Sequence, residues 1–112
     1  MENAVQMAVV VSLQWEGVHQ WAECPFEDVA FLRFPHRHVF HIRAEKLVTH
    51  SDRDVEIIKL KREILASLAD DFENGFIGRK SCEDLCNHLM ARHGLHAVEV
   101  LEDGENGAKI WR

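Results

Sequence analysis

Two long stretches of strict alternation constrain the fold of this chain more than any other feature. Val5, Met7, Val9, Val11, Leu13 and Trp15 share one parity, with Gln6, Ser12, Gln14 and Glu16 on the other. Successive side chains of a strand point to opposite faces, so a period of two predicts a half-buried β-strand. The pattern returns at His36, where Phe40, Ile42, Ala44 and Val48 alternate with Arg37, His41, Arg43, Glu45 and Thr49. A second long strand follows. Between them, residues 17–35 break the alternation with Gly17, Gln20, Glu23, Pro25, Glu27 and Asp28, and read as a long connection that admits a short strand at residues 29–34.

After a turn around Ser51, Asp52 and Asp54 the period changes. Ile57, Leu60, Ile64, Leu65, Leu68 and Phe72 recur at helical spacing, with Lys59, Lys61, Arg62 and Glu63 on the other face, and predict an amphipathic helix. A connection over residues 73–80 leads to Ser81, which with Asp84 has the spacing of a capping box that opens a second helix. The buried stripe of that helix is Cys82, Leu85, Cys86, Leu89, Met90 and His93, and Gly94 is placed to end it. Residues 98–101 and 108–111 flank an Asp103-Gly104-Glu105-Asn106-Gly107 turn and form a terminal hairpin. The expected class is α+β, a β-β-α-α-β-β antiparallel sheet with two helices on one face. At 112 residues the chain has room for one domain, residues 1–112, whose other sheet face must be solvated or covered by further subunits.

Charge and cysteine usage narrow the partners. Thirteen basic against 19 acidic residues give a formal charge of -6, which disfavours a nucleic-acid polymer or an anionic membrane as partner. The longest apolar run, Met7 to Val11, is far short of the roughly 20 residues a membrane-spanning helix needs. With no basic-then-apolar opening segment and three cysteines in no disulfide spacing, a cytoplasmic location is expected.

Eight histidines and no tyrosine are the oddity of the composition. His36 and His38 share the parity of Phe40 and Ile42, so both imidazoles face inward. His19 keeps the parity of Leu13 and Trp15 if the first strand runs on through Gly17, and can join them. Three neutral imidazoles with one open position make the usual catalytic zinc arrangement, whereas inward strand histidines can equally be satisfied by backbone carbonyls. Glu102 shares the parity of Val98 and Val100. Its carboxylate either turns to solvent or meets a buried partner; two oxygens accepting a pair of N–H donors would match the amino-pyrimidinone edge of a pterin or guanine.

Four segments resemble the 6-pyruvoyl-tetrahydropterin synthase family, including its queuosine-pathway branch of 6-carboxy-tetrahydropterin synthases. His19 resembles the family's isolated first histidine, and His36-Arg37-His38 its His-Gly-His with Arg for Gly. Val55-Glu56-Ile57-Ile58-Lys59-Leu60-Lys61 resembles the entry to its first helix, and Ser81-Cys82-Glu83-Asp84-Leu85 the opening of its second. Val98-Glu99-Val100-Leu101-Glu102 resembles its Val-x-Val-x-Glu ending. The resemblance implies a tunnelling fold, in which subunits join their sheets into an oligomeric barrel and two rings commonly stack into a hexamer. It implies zinc on His19, His36 and His38, a pterin-like ring held by Glu102 with Ser81 among the substrate-binding positions, and a lyase-type reaction assisted by a thiol and an Asp-His pair. Cys24 is the candidate thiol, twelve residues before His36 where the family's lies a few residues before it; where the family has Asp-His after a phenylalanine, this chain has Glu73 and Asn74 after Phe72. A tunnelling-fold homo-oligomer that binds a purine-like or pterin-like molecule without turning it over is the alternative. His41, His50, Asp70, Asp71 and His88 are imaginable replacements for the missing base but read more simply as solvated polar residues, Cys82 and Cys86 read as small hydrophobes, and His93 as a last-turn residue favourable to the helix dipole.

Overall fold

The computed structural model describes residues 5–112. Strand β1 (Met7–His19) and strand β2 (His36–Val48) are each 13 residues long and pair antiparallel along their full length. Helix α1 (Ile57–Asp71) follows, then a short strand β3 (Phe76–Gly78), helix α2 (Cys82–His93), and a hairpin of β4 (Ala97–Glu102) and β5 (Asn106–Trp111). The sheet order is β3-β1-β2-β4-β5. The class is α+β with an open, mixed sheet.

The core follows from the two alternations. Val11, Leu13, Phe40, Ile42, Val98 and Val100 are buried on one sheet face, in one cluster with Leu60, Ile64 and Leu68 of α1 and Leu85, Cys86 and Leu89 of α2. The register sets Trp15 against Phe40, Gly17 against His38 and His19 against His36, so both alternations deliver their inward residues to the same side. Glu56 caps α1 by accepting from the Ile58 and Lys59 amides. In α2 the Ser81 and Asp84 box is closed in both directions, and Gly94 takes the left-handed conformation (φ 62°) that ends the helix. Among the described residues, no helix is long and apolar enough to cross a membrane.

Two expectations are corrected. The sheet is not wholly antiparallel, because β3 pairs parallel with the end of β1 at Val18 and His19. A three-residue strand is too short to show a period, although Ile77 is buried within it. Residues 29–34 form no strand: Glu27–Arg33 is a 3-10 segment. Its ends carry Glu27 and Arg33, which pair at 2.8 Å across one side of it, a contact that an extended segment would not make. His93 lies in the last turn of α2, partly covered as expected; burial, aided by Arg92 and Lys46, pushes its pKa down, and its Nε2 meets Ser67 Oγ at 2.8 Å.

Gly17 marks where two aromatic rings close over β1. A Cβ built there would stand 2.7 Å from Trp15 Cζ3 and 2.9 Å from Phe40 Cε2, closer than side-chain carbons approach. Gly17→Ala should therefore cost about 1–3 kcal/mol of stability by overpacking, measured as a shift in the urea midpoint with unchanged slope.

Candidate metal centre

The site is built where the long strands end. His19 is the last residue of β1; at the start of β2, His36 lies directly across the ladder from it and His38 lies opposite Gly17. Glu102 ends β4 opposite Phe40, and the N-terminus of α2 brings Ser81 and Cys82 to the same end of the sheet. Phe40 lies beneath, with its ring centroid 5.6 Å from that of His19 and 5.7 Å from that of His38.

One nitrogen of each imidazole is already committed. His19 Nδ1 is 2.8 Å from the Lys80 carbonyl, His36 Nδ1 2.8 Å from the Phe34 carbonyl, and His38 Nδ1 2.8 Å from Asp103 Oδ2. Carbonyls are acceptors only, and so is an ionised carboxylate; the hydrogen bonds from His38 and the Val39 amide hold the Asp103 carboxyl below the ordinary carboxylate range. Each Nδ1 must then carry the proton. In the neutral rings every Nε2 presents a lone pair, and all three Nε2 atoms are buried with no hydrogen-bond partner.

The three ligand atoms lie within 4.8 Å of one another. Three imidazole donors suit a zinc-like divalent ion, and oriented Nδ1–H groups are the outer support such a site uses. The residues fit the metal that the sequence suggests. Burial alone would push the His19 pKa down, but the close approach of Glu102 and the Lys80 carbonyl outweigh it and the net shift is upward.

Asp103 was not legible as a site residue, because an acidic residue in a hairpin turn needs no further reason. It has a left-handed backbone (φ 54°), its amide donates to the Val39 carbonyl at 2.8 Å, and its Oδ1 accepts from the Val39 amide at 2.9 Å. These contacts aim Oδ2 at His38. Asp103→Asn keeps a residue that tolerates this backbone but replaces the anion, and should weaken zinc binding 10–100-fold with little change in the metal-free melting temperature, as read by chelator competition.

A cavity of about 510 Å³ opens beside the centre, lined by His19, His36, Glu102, Ser81, Cys82 and Trp21 among others. This is within the size range of small-molecule sites. Glu102 Oε2 is 3.2 Å from His19 Nε2, and Oε1 is 3.6 Å from His38 Nε2. The His19 contact, set against partial burial, holds the Glu102 carboxyl below the ordinary range, so it is an anion. Ser81 Oγ is occupied as the cap of α2, accepting from the Asp84 amide at 3.1 Å.

Cys24 is not brought into this cavity. It is buried in the connection after β1, with its thiol 3.8 Å from the Phe26 carbonyl. Cys82 lines the cavity instead, and burial, reinforced by the charge of Glu102, pushes its thiol up to about 12. The helical stripe announced Cys82 as a core residue, and only its place in the first turn after Ser81 hinted at the cavity. Asn74 lines a separate cavity with Trp15 and Arg37. No protein-family model and no curated protein matches this chain.

Proposed function

We propose that this chain is a zinc-dependent lyase acting on a pterin-type molecule, as its sequence resemblance to the 6-pyruvoyl-tetrahydropterin synthases implies. The observation that carries the reading is the convergence of three buried, unpartnered Nε2 atoms whose rings are each fixed by an Nδ1 hydrogen bond. His19, His36 and His38 would hold the ion. A zinc ion in this setting supplies Lewis-acid polarisation of a substrate oxygen. The carboxylate of Glu102, on the cavity wall, would accept the paired N–H donors of an amino-pyrimidinone edge. Cys82, as a neutral thiol beside Glu102, would serve as a proton donor rather than a nucleophile.

A second reading, binding of a pterin-like or purine-like molecule without turnover, is favoured by the enclosed position of Cys24 and by the placement of Asn74 in a different cavity. In both readings the sheet face opposite the helices, where Val10 and Leu47 are exposed, would be joined to other copies in a homo-oligomeric tunnelling-fold barrel, a hexamer as in the family; native mass spectrometry checks this.

The test is to measure zinc per chain and incubate the loaded protein with dihydroneopterin triphosphate, following triphosphate release. Release that disappears in a His36→Ala, His38→Ala double variant supports the lyase. Tight binding with unchanged ligand recovered after denaturation supports the second reading. A chain that takes up neither zinc nor ring overturns both.

A further inference from the structure

We infer that Glu102 is itself a ligand of the ion, making the centre a three-histidine, one-carboxylate site. The inference rests on the metal reading above and deepens it. Its starting point is a geometric convergence. Every Nδ1 is held by an acceptor elsewhere, and the atoms that face the Nε2 atoms of His19 and His38 are the carboxylate oxygens of Glu102, at 3.2 Å and 3.6 Å. A cation between them, whether a proton on one ring or a metal ion shared by all, satisfies these groups, and only the metal ion also engages the unpartnered Nε2 of His36.

The distances say which kind of cation fits. Ligand atoms on a tetrahedron with bonds of about 2.0–2.1 Å stand roughly 3.3–3.4 Å apart. The separation of 3.2 Å between His19 Nε2 and Glu102 Oε2 is close to that edge length, and this contact does not have the alignment of a hydrogen bond. Glu102 reaches two of the three histidines, and the third, His36, completes the nitrogen set from across the ladder. Carboxylate oxygen and imidazole nitrogen are compatible donors for zinc and neighbouring first-row divalent ions. One carboxylate also lowers the net charge of a divalent centre to +1, which eases its burial beside Phe40.

A functional consequence follows. Glu102 cannot give one oxygen to the ion and grip a ring with both oxygens at the same time. Entry of a ring that recognises Glu102 would take the carboxylate off the ion and free a coordination position for the substrate, so occupation of the cavity and opening of the metal are coupled.

The test uses the whole chain with zinc and with cobalt(II) as a spectroscopic substitute. Glu102→Gln should weaken zinc binding about 100-fold and change the visible cobalt bands, with Glu102→Asp falling between it and the unaltered protein. Infrared difference spectra of the unaltered chain should show a carboxylate stretch moving when zinc is added, a measurement that requires no variant to fold. If Glu102→Gln leaves zinc affinity and cobalt bands unchanged while His36→Ala loses the metal, the fourth-ligand assignment falls and the three-histidine reading stands. An unaltered chain that binds neither ion overturns both.

Discussion

Stripping zinc from the loaded protein should lower its melting temperature by about 11–16 °C when free zinc had been held at 100 to 1,000 times its dissociation constant. An ion that binds only the folded chain stabilises it by about 2.7–4.1 kcal/mol at those ratios. For a domain of 112 residues each kcal/mol is worth roughly 4 °C. The unfolded chain cannot compete strongly, because His19 is brought to His36 and His38 only by the β1–β2 ladder. A His36→Ala, His38→Ala double variant should melt at one temperature with and without zinc. Scanning calorimetry in zinc and in chelator checks both chains. If the histidines are inert strand residues, the unaltered chain will show the same indifference, and the lone pairs at Nε2 will have had no partner to gain.

The long elements of this fold were legible because each has a period that only one structure satisfies. The run from Val9 to Trp15 and the run from His36 to Val48 could face the core in only one register, and the stripes of α1 and α2 are as plain, although Val5, Met7 and Ile57, which share these patterns, are exposed. The same parity rule places His36, His38 and Glu102 on the inward face. It reached His19 only by assuming that β1 continued through Gly17, which it does because the missing Cβ there lets Trp15 and Phe40 close over the strand. Segments without a period were not legible. Three residues of β3 and the 3-10 stretch Glu27–Arg33 are held by long-range pairing and short-range hydrogen bonds that no alternation encodes. The outer support of the centre was hidden for a related reason: two of its three acceptors are backbone carbonyls, of Lys80 and Phe34, which every residue possesses. Only Asp103 contributes a side chain, and its contact with His38 spans 65 positions of sequence.

Phe40→Ala is expected to be the most damaging single substitution in the chain, and its effect should divide into two measurable parts. The ring is fully buried, and truncating a buried phenylalanine costs about 3–5 kcal/mol through lost transfer energy and the cavity left behind. That is a large share of the roughly 5–15 kcal/mol that holds a domain folded. The second part is local to the centre. The Phe40 ring touches the space of His19 and His38 from below, and its removal gives both imidazoles room to leave the geometry in which their Nε2 atoms converge. Zinc affinity should therefore fall in Phe40→Ala even at temperatures where the variant remains folded. Leu60→Ala is the control. Leu60 is buried in the first turn of α1, at the other end of that helix from Phe72, whose ring meets Trp15 at 5.9 Å. Its truncation should cost about 2–5 kcal/mol and leave zinc affinity unchanged. Denaturant unfolding gives the stabilities and chelator competition the affinities. If both variants lose affinity in proportion to stability, zinc responds to global unfolding alone; if only Phe40→Ala loses it in the folded state, the aromatic floor sets the geometry of the metal centre as well as that of the core.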